Sequence, residues 1–309
     1  MAIQFSDVRY IKLGPKGCWN NVSLDRGELH FGFRDIPHEL ASSLNKQDII
    51  RYQQRQGRTL RVAAEDAREI IDFYSLPETC LWITLARNHL WWTFADKTVT
   101  WIGGDGAIQG YRKRRCLTSW SKLDAAGAPL TLQSLSSLLT QVSAYRRTIC
   151  RPQVTDAYLQ RRLSGEANPV VVEAQAAQNI LIDVLARAIS ELHQADFEVL
   201  IDLVLSRSGW QRISAVGGLQ EFIDLAIEHP ATGERAAVQV KSRAGQPVLN
   251  DYIEQFDAAG CFRRLFFACH STDATLISER QDVHVWQGKK LAATVARIGL
   301  ADWVLEKIS

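Results

Sequence analysis

The residue pattern with the clearest chemical meaning lies on a predicted hairpin in the C-terminal half of the 309-residue chain. Two apolar runs flank a Pro-Ala-Thr-Gly turn, and pairing of His229 with Glu234 would place Asp224 opposite Gln239. Because strand side chains alternate between faces, Gln239 and Lys241 share one face and Asp224 joins them. The spacing therefore predicts that a carboxylate, an amide oxygen and an ammonium group meet at one place.

Such a set of polar groups suits phosphodiester hydrolysis with a hard divalent cation. Oxygen ligands would hold Mg²⁺, for which Mn²⁺ substitutes, and the cation polarises the phosphate and lowers the pKa of an attacking water. Asp224 and Gln239 would be two ligands, and Glu198, on the preceding helix, a third. Lys241 would orient the water or stabilise the developing negative charge. We therefore expect these residues to form the catalytic set.

Each of these residues also has a purely structural interpretation. Asp224 is equally typical of a turn cap, Gln239 of an exposed strand face and Lys241 of a solvated strand end. The apolar neighbours on both strands favour the functional interpretation, because polar side chains among them are costly to bury without a partner or a ligand.

The same residues carry a resemblance to a known family. The pattern consists, in chain order, of Phe197-Glu198 on a helix, Gly209-Trp210 at its end, Asp224 and, after fourteen residues, Gln239-Val240-Lys241. It resembles the PD-(D/E)xK nuclease motif and, more narrowly, the Mrr-like restriction endonuclease group, in which glutamine commonly replaces the second acid. The resemblance extends over residues 170–309.

By this resemblance, Asp224 is the principal metal ligand, Gln239 a second metal contact, Lys241 catalytic and Glu198 an auxiliary acid. It implies a Mg²⁺-dependent DNA endonuclease of a restriction system, active in defence against foreign DNA. Gln239 departs from the motif, because a neutral amide stands in place of the second acid. Such an amide binds magnesium less strongly than a carboxylate. Two alternatives stay open: a nucleic-acid-binding protein of nuclease fold with weak or no catalysis, and an RNA-processing nuclease.

The elements around these residues predict an α/β/α sandwich with a mixed central sheet. The predicted helices are Val171–His193, a second helix that Asp196 caps and that stops at Gly209, Val248–Ala259 and Ala301–Ile308. The predicted strands are Gln211–Ala215, Phe222–Glu228, Arg235–Lys241, Leu265–Cys269 and Val283–Trp286.

The N-terminal half predicts a separate β-rich α+β domain. An Arg87-Asn88 turn is expected to close a hairpin, because asparagine tolerates positive φ and both flanks are apolar or β-branched. The strands would form a small barrel or a curved sheet. The predicted strands are Arg9–Leu13, Glu28–Phe33, Cys80–Ala86, His89–Ala95 and Thr98–Ile102, and the helical segments are Pro37–Asp72 and Thr131–Ala144.

The distribution of charge supports a polyanionic partner, although the total charge is only +2. Residues up to Cys150 include 20 basic and 14 acidic side chains, which gives +6, and the remainder has 16 and 20, which gives −4. Between the halves, the Pro- and Gly-containing segment 151–169 predicts a linker, so the expected domains are 1–150 and 170–309.

The basic half is expected to bind double-stranded DNA through its phosphates. A run of four cations beside Tyr111 is the main candidate, and its structural alternative is a solvated loop or strand edge. The predicted phosphate contacts are Arg112, Lys113, Arg114, Arg115, Lys12 and Lys16, with Arg34 as a further candidate.

Tryptophans are concentrated in the same half. Trp82 and one of Trp91 or Trp92 are expected in the core. The remaining exposed rings, with Trp91 and Trp92 as candidates, would line a cage for a base flipped out of the duplex, and a plain packing role of the tryptophans is the alternative. The Leu-Trp-Trp-Thr-Phe-Ala hairpin has a more distant resemblance to EVE and PUA-like readers of modified bases. Such a reader joined to an Mrr-like nuclease implies a modification-dependent restriction enzyme, and cutting two strands with one site per chain suggests a homodimer.

Composition excludes several classes of protein. With 46% hydrophobic and 23% charged residues, the chain is not collagenous, disordered or a coiled coil. It shows neither a signal peptide nor an apolar stretch long enough to span a bilayer, so we expect a cytoplasmic protein without membrane contact. Six cysteines without a CxxC pair predict reduced thiols, and the histidines form no HExxH motif.

Overall fold

The computed structural model describes residues 3–103, 110–213, 223–271 and 274–309. The chain divides into two compact units, Met1–Asn168 and Pro169–Ser309. Each unit buries its own apolar clusters. Among the described residues, no helix has the length and apolar character needed to cross a bilayer.

The predicted linker 151–169 is wrong for most of its length. It contains the helix Asp156–Ser164, which Thr155 caps through its side chain and Gly165 ends in the left-handed region. Leu159 and Leu163 of this helix are fully buried in the first unit. The Pro and Gly residues that suggested a linker lie on either side of this short helix.

A six-stranded mixed sheet of order β2-β5-β4-β3-β1-β6 forms the centre of the first unit. Within the described part of the chain the two edge strands do not pair with each other, so the strands form a sheet and not a barrel. Among the neighbouring strands that the structure describes here, β1 and β3 are parallel and the other pairs are antiparallel. The strands are β1 Asp7–Ile11, β2 Glu28–Phe31, β3 Cys80–Ala86, β4 His89–Trp101, β5 Arg112–Cys116 and β6 Ile149–Cys150.

Helices cover both faces of this sheet. One face packs against α1 to α4, and the other against the segment that includes α5 and α6. The predicted helical segments 37–72 and 131–144 are both interrupted: the first contains three helices, and the second one short helix between single 3₁₀ turns. The helices are α1 Asn20–Arg26, α2 His38–Ser42, α3 Lys46–Arg55, α4 Leu60–Ser75, α5 Ser137–Thr140 and α6 Asp156–Ser164, with 3₁₀ turns at Pro15–Gly17, Leu132–Ser134 and Gln141–Ala144.

The predicted Arg87-Asn88 hairpin is confirmed. Both residues have positive φ, 50° and 62°, as a two-residue turn between twisted antiparallel strands requires. Ala86 pairs with His89 next to the turn. Trp82, on the first strand of this hairpin, is fully buried, as expected.

The second unit has a mixed five-stranded sheet of order β11-β10-β9-β8-β7. The pairs β9/β10 and β10/β11 are parallel, and β7/β8 and β8/β9 are antiparallel. Of the predicted strands, positions 214, 215 and 222 lie outside the described residues. The strands are β7 Gln211–Arg212, β8 Leu225–His229, β9 Glu234–Arg243, β10 Arg264–Ser271 and β11 Val283–Trp286.

Helices lie on both faces of the second sheet, which confirms the predicted α/β/α sandwich. Ala236 and Val238 of β9 face one helical layer, in which α7, α8, α10 and α11 contribute apolar side chains. Ala237 faces Leu249 and Phe256 of α9 on the other side. The helices are α7 Pro169–Glu191, α8 Gln194–Arg207, α9 Gln246–Ala259, α10 Gly288–Arg297 and α11 Ala301–Ile308.

The predicted N-cap of α8 is wrong by three residues. His193 caps this helix, because its Nδ1 accepts a hydrogen bond of 3.2 Å from the backbone N–H of Ala195. Asp196 lies in the first helical turn, where its negative charge interacts favourably with the positive end of the helix dipole. Its carboxylate also pairs with Lys307 at 3.1 Å.

Candidate active site

The β8–β9 hairpin has the register that the sequence predicts. His229 pairs with Glu234, and Leu225 pairs with Val238. The backbone N–H of Asp224 donates to the carbonyl of Val238 at 3.0 Å, which continues the pairing one residue beyond β8. Asp224 is therefore placed beside Gln239 by backbone hydrogen bonds and does not depend on its side chain to reach that position.

Asp224 and Gln239 are in direct contact. The side-chain Nε2 of Gln239 donates to Oδ2 of Asp224 at 2.5 Å, and the backbone N–H of Val240 donates to the same oxygen at 2.8 Å. The same Nε2 also lies 3.4 Å from the carbonyl oxygen of Val240. Gln239 is 1% exposed, whereas Asp224 is exposed. The amide thus forms the buried side of a site that is open at the carboxylate.

Lys241 lies on the same strand two residues beyond Gln239. Its Nζ is 5.0 Å from the centre of the Tyr252 ring of α9, a distance typical of a cation–π contact. In β10, Phe267 and Cys269 lie beside Gln239 and Lys241, respectively. The alternation along β9 therefore places both polar side chains on one face, as predicted, and the structure shows that this face carries α9.

An open pocket of about 670 Å³ adjoins this contact. Asp224 and Lys241 line it, and so does Glu198 of α8, which is exposed and accepts a weak hydrogen bond of 3.4 Å from Gln194. Gln239 does not line the pocket, because the strand buries it. The structure thus brings Asp224, Lys241 and Glu198 to one cavity, with Gln239 behind Asp224.

Two charged residues of this pocket were missed in the sequence. Asp202 lies one turn after Glu198 on α8 and lines the pocket beside it, and Arg212 of β7 lines it from the sheet. The four-residue spacing of Glu198 and Asp202 places both carboxylates on one face of α8 and was a readable signal. Arg212 had no comparable signal, since it is an isolated cation on a two-residue strand.

The oxygen donors around Asp224 fit a hard divalent cation. The carboxylate of Asp224, the amide of Gln239 and the carbonyl of Val240 converge, and oxygen ligands of this kind are those that Mg²⁺ and Mn²⁺ prefer. The amide nitrogen now faces both oxygens, and a half turn of the amide would present its oxygen instead. Within the described ranges, no three His, Cys, Asp or Glu side chains lie close enough to hold a metal ion, so Glu198 is not in such a cluster with Asp224.

The basic run on β5 is divided between two environments. Arg112 and Arg114 are fully buried, whereas Lys113 is half-buried and Arg115 exposed, because side chains alternate along the strand. The predicted phosphate contacts of Arg112 and Arg114 are therefore wrong. Lys113 is paired with Glu28 at 2.6 Å, which leaves Arg115 as the cation of this run that faces solvent.

The two buried arginines instead hold the first unit together. The Arg114 guanidinium donates to the carbonyls of Asp96, Phe73, Leu76 and Ala95, and its carbon lies 5.5 Å from the Trp82 ring. Burial lowers the pKa of Arg114 to about 10. This pKa is still well above 7, so Arg114 is cationic at neutral pH. Arg112 donates in the same way to the carbonyls of Gly32, Phe33 and Ile36 and to the Tyr74 hydroxyl.

The remaining predicted contacts of the first unit differ in accessibility. Lys16 is exposed in the 3₁₀ turn after β1, with φ of 53°, and its role in phosphate binding stays a prediction. Lys12 is half-buried and donates through Nζ to the carbonyl of Tyr145. Arg34 is exposed, and its guanidinium carbon lies 5.9 Å from the Tyr111 ring.

Trp91 and Trp92 do not share a cage. Neighbouring residues of a strand point to opposite faces, and Trp91 packs against the core that contains Trp82, while Trp92 packs against the opposite core. The Trp91 indole donates to the carbonyl of Ala86 at 3.0 Å, and that of Trp92 to the carbonyl of Leu123 at 2.9 Å. Both rings are therefore part of the packing of the first unit.

The comparisons with known proteins agree with the geometry of the second unit. Residues 189–295 match the family of restriction endonuclease domains of the Mrr type. This range contains α8, the hairpin and every residue that lines the pocket around Asp224. No curated protein and no solved structure matches the chain. The second unit therefore contains a restriction endonuclease domain of the Mrr family.

Proposed function

We propose that the protein is a Mg²⁺-dependent DNA endonuclease that restricts foreign DNA, directed by its first unit to duplexes with modified bases. The contact between Asp224 and Gln239, placed beside Lys241 by the register of one hairpin, carries this proposal. An Mrr-type restriction endonuclease domain over residues 189–295 supports a nuclease that acts on DNA.

The residues of the pocket have distinct tasks in this proposal. Asp224, Gln239 and the carbonyl of Val240 would hold a divalent cation, which when bound polarises the phosphate and lowers the pKa of a water. Lys241 supplies a positive charge next to the same site, where it stabilises negative charge that develops on the phosphate. Glu198 and Asp202 make the opposite wall acidic, which favours a cation at the pocket and orders the water around it.

Cleavage of supercoiled plasmid in Mg²⁺ tests the proposal. We expect nicking or linearisation by the wild type, loss of at least about a hundredfold in rate for Lys241→Ala, and no loss for the exposed control Lys290→Ala. A plasmid that contains modified cytosines is expected to be cut faster than the unmodified one. Absence of cleavage on every DNA, or equal cleavage by Lys241→Ala, would contradict an endonuclease. A structured RNA of matched length shows whether RNA is the better substrate.

A nucleic-acid-binding protein without catalysis is the second candidate. The observation that favours it is the neutral amide of Gln239, whose nitrogen faces Asp224 and the Val240 carbonyl. Calorimetric titration with Mn²⁺ separates the two functions. Binding that disappears in Asp224→Asn supports the endonuclease, and absence of any Asp224-dependent binding supports the second candidate.

A further inference from the structure

The first unit contains a polar pocket of about 750 Å³, which lies far along the chain from the nuclease residues. Tyr52 and Gln53 of α3, Asp66 and Glu69 of α4, and Arg147 before β6 line this pocket. Its volume is in the range that holds a small organic molecule or one nucleotide. Nothing in the match to the nuclease family refers to this pocket, since the match begins at residue 189.

Gln53, which lines this pocket, has a buried acceptor without a partner. The residue is 5% exposed, and Asp66 of α4 lines the same pocket. In the part of the chain that the structure describes, nothing donates to its Oε1. A buried acceptor without a donor is costly, and a ligand that brings an N–H group removes that cost.

The floor of the pocket is acidic and connected by ion pairs. Arg147 pairs with Glu65 at 2.8 Å, with Asp66, and with Glu69 at 3.4 Å, and the backbone N–H of Thr148 donates to Glu69 at 3.2 Å. Burial raises the pKa of Asp66 and of Glu69. One guanidinium thus faces three carboxylates, and the floor offers acceptors to a ligand more readily than donors.

The rim of the pocket is cationic and aromatic. Arg34 and Arg58 line it and are exposed, and Phe33 and Tyr52 contribute half-buried rings. Exposed guanidinium groups can bind a phosphate. The aromatic rings can stack on a base, whichever base it is, because every base has a flat π-face. The pocket therefore combines the three elements that a nucleotide needs: acceptors, rings and cations.

A second pocket of about 870 Å³ lies beside the first. Phe33, Arg147 and Thr148 line both, so the two cavities share a wall. Trp19 and Tyr111 line the second cavity together with Lys12 and Arg146. Aromatic rings with two further cations suit a neighbouring nucleotide of the same strand. The two pockets together are larger than the space that one free mononucleotide occupies.

We propose that these two neighbouring cavities bind a nucleotide whose base carries an exocyclic amino group. The base stacks on Phe33 or Tyr52 and donates an N–H to Oε1 of Gln53, and Arg34 and Arg58 bind its phosphate. The inference rests on the proposed function in taking this nucleotide from DNA, where it would be flipped out of the duplex. A free mononucleotide shares the same chemistry and is the other source.

Fluorescence anisotropy of the full-length protein in EDTA tests the proposal without cleavage. The probe is a fluorescein-labelled duplex with one extrahelical deoxycytidine, and the reference is the same duplex with an abasic site at that position. We expect the base to improve Kd about tenfold, a preference that Gln53→Met abolishes and Gln54→Met, exposed on the same helix, retains. Tyr52→Leu, which removes a half-buried ring, is expected to lower the preference about fivefold.

Competition with free mononucleotides decides whether the nucleotide comes from DNA or from solution. Displacement of the duplex by dCMP at low concentration, lost in Gln53→Met, assigns the pocket to a free nucleotide. Equal binding of both duplexes by the wild type, with no displacement by dCMP or dAMP, overturns the proposal. Thermal unfolding of each variant shows whether it is folded.

Failure of this inference differs from failure of the proposed function. Preference for the base in a protein that cuts no DNA would overturn the endonuclease and leave the pocket in place. Lys241-dependent cleavage in a protein that binds the abasic duplex equally well would overturn only the pocket.

Discussion

The side-chain amide of Gln239 donates a hydrogen bond of 2.5 Å to the carboxylate of Asp224. In the metal-binding motif that this chain resembles, an acidic residue commonly stands at the position of Gln239, and two carboxylates at this distance repel each other in the absence of a cation. The amide replaces that repulsion with an attraction. The metal-free site is therefore stabilised by its own hydrogen bond, and a cation has to compete with it.

Substitution of Gln239 by glutamate is expected to strengthen metal binding and weaken the metal-free protein. Two carboxylates bind Mg²⁺ more tightly than one carboxylate and an amide, by about tenfold or more in affinity. Without the cation, their repulsion and the buried charge lower the free energy of unfolding by about 1–3 kcal/mol. Thermal unfolding in EDTA and over a Mg²⁺ series measures both effects.

The matched control for this prediction is Gln255→Glu, on the exposed face of α9. It adds the same charge to the same unit away from Asp224, so its unfolding temperature is expected to follow the wild type in Mg²⁺ and in EDTA. A Gln239→Glu variant that behaves as this control would show that Gln239 is not part of a metal site.

Neutralising the acidic wall of the pocket is expected to raise the Mg²⁺ concentration that cleavage requires. Asp202→Asn and Glu198→Gln each remove one negative charge that lines the pocket without touching Asp224. We expect each variant to need several times more Mg²⁺ for half-maximal cleavage, roughly threefold to tenfold, with the maximal rate less affected. Asp183→Asn, whose carboxylate pairs with Lys289 at the surface of α7, is the control. An unchanged Mg²⁺ requirement in both variants would exclude this wall from the site.

Arg114 and Arg115 are expected to differ sharply in their contribution to stability. Arg114→Ala leaves the carbonyls that it binds without donors and opens a space beside Trp82, so we expect a loss of about 3 kcal/mol or more. Arg115→Ala removes an exposed side chain of the same strand and is expected to change stability by less than about 0.5 kcal/mol. Chemical denaturation measures the free energy of unfolding of both variants, and equal losses would contradict the buried role of Arg114.

His30 is expected to make the first unit sensitive to acid. Burial lowers the pKa of His30 to about 4, with Lys113 and Arg26 adding to this effect and Glu28 opposing it. Because the unfolded chain takes up the proton near pH 6.5, stability from this group is present above that pH and is lost as the pH falls towards about 4. The loss is roughly 3 kcal/mol between pH 7 and pH 4.

The acid sensitivity is measured as a difference between variants, since the raised pKa values of Asp66 and Glu69 act in the opposite direction. His30→Asn does not titrate in this range and is expected to give a flatter dependence of unfolding temperature on pH than the wild type. His89→Asn, near the hairpin turn, is expected to keep the wild-type dependence. Parallel curves for the wild type and His30→Asn would contradict the assignment.

The register of Asp224 and Gln239 could be predicted because it depends on local sequence. The turn between His229 and Glu234 fixes which residues pair, and every later position along the two strands follows from it. The sandwich was predictable for a similar reason, since its helices and strands each have their own periodicity. The approach of Asp202 to this site depends on how α8 packs on the sheet, and only the four-residue spacing from Glu198 indicated it.

The basic run on β5 shows why the rest was not predictable. Four adjacent cations indicate a solvated surface if the segment is a loop, but on a strand every second one faces the core. Partners that satisfy Arg112 and Arg114 come from distant segments, such as the carbonyls of Gly32 and Phe73. Gln53 likewise depends on packing between helices, since it lines a pocket together with Asp66 of the next helix, and no pattern in the sequence singles it out.

Helix α6 also bears on how a gene for this protein could be assembled from parts. The first unit extends to Asn168, and its core includes Leu159 and Leu163, well past the last strand of its sheet. A recombination breakpoint after Cys150 would separate the first unit from those two leucines. The helix that carries them would stay attached to the second unit, where its apolar side chains have no core to pack against. A breakpoint between Asn168 and Pro169 leaves the apolar core of each unit within one parental sequence, so an exchange of either unit at that point is expected to keep both units folded.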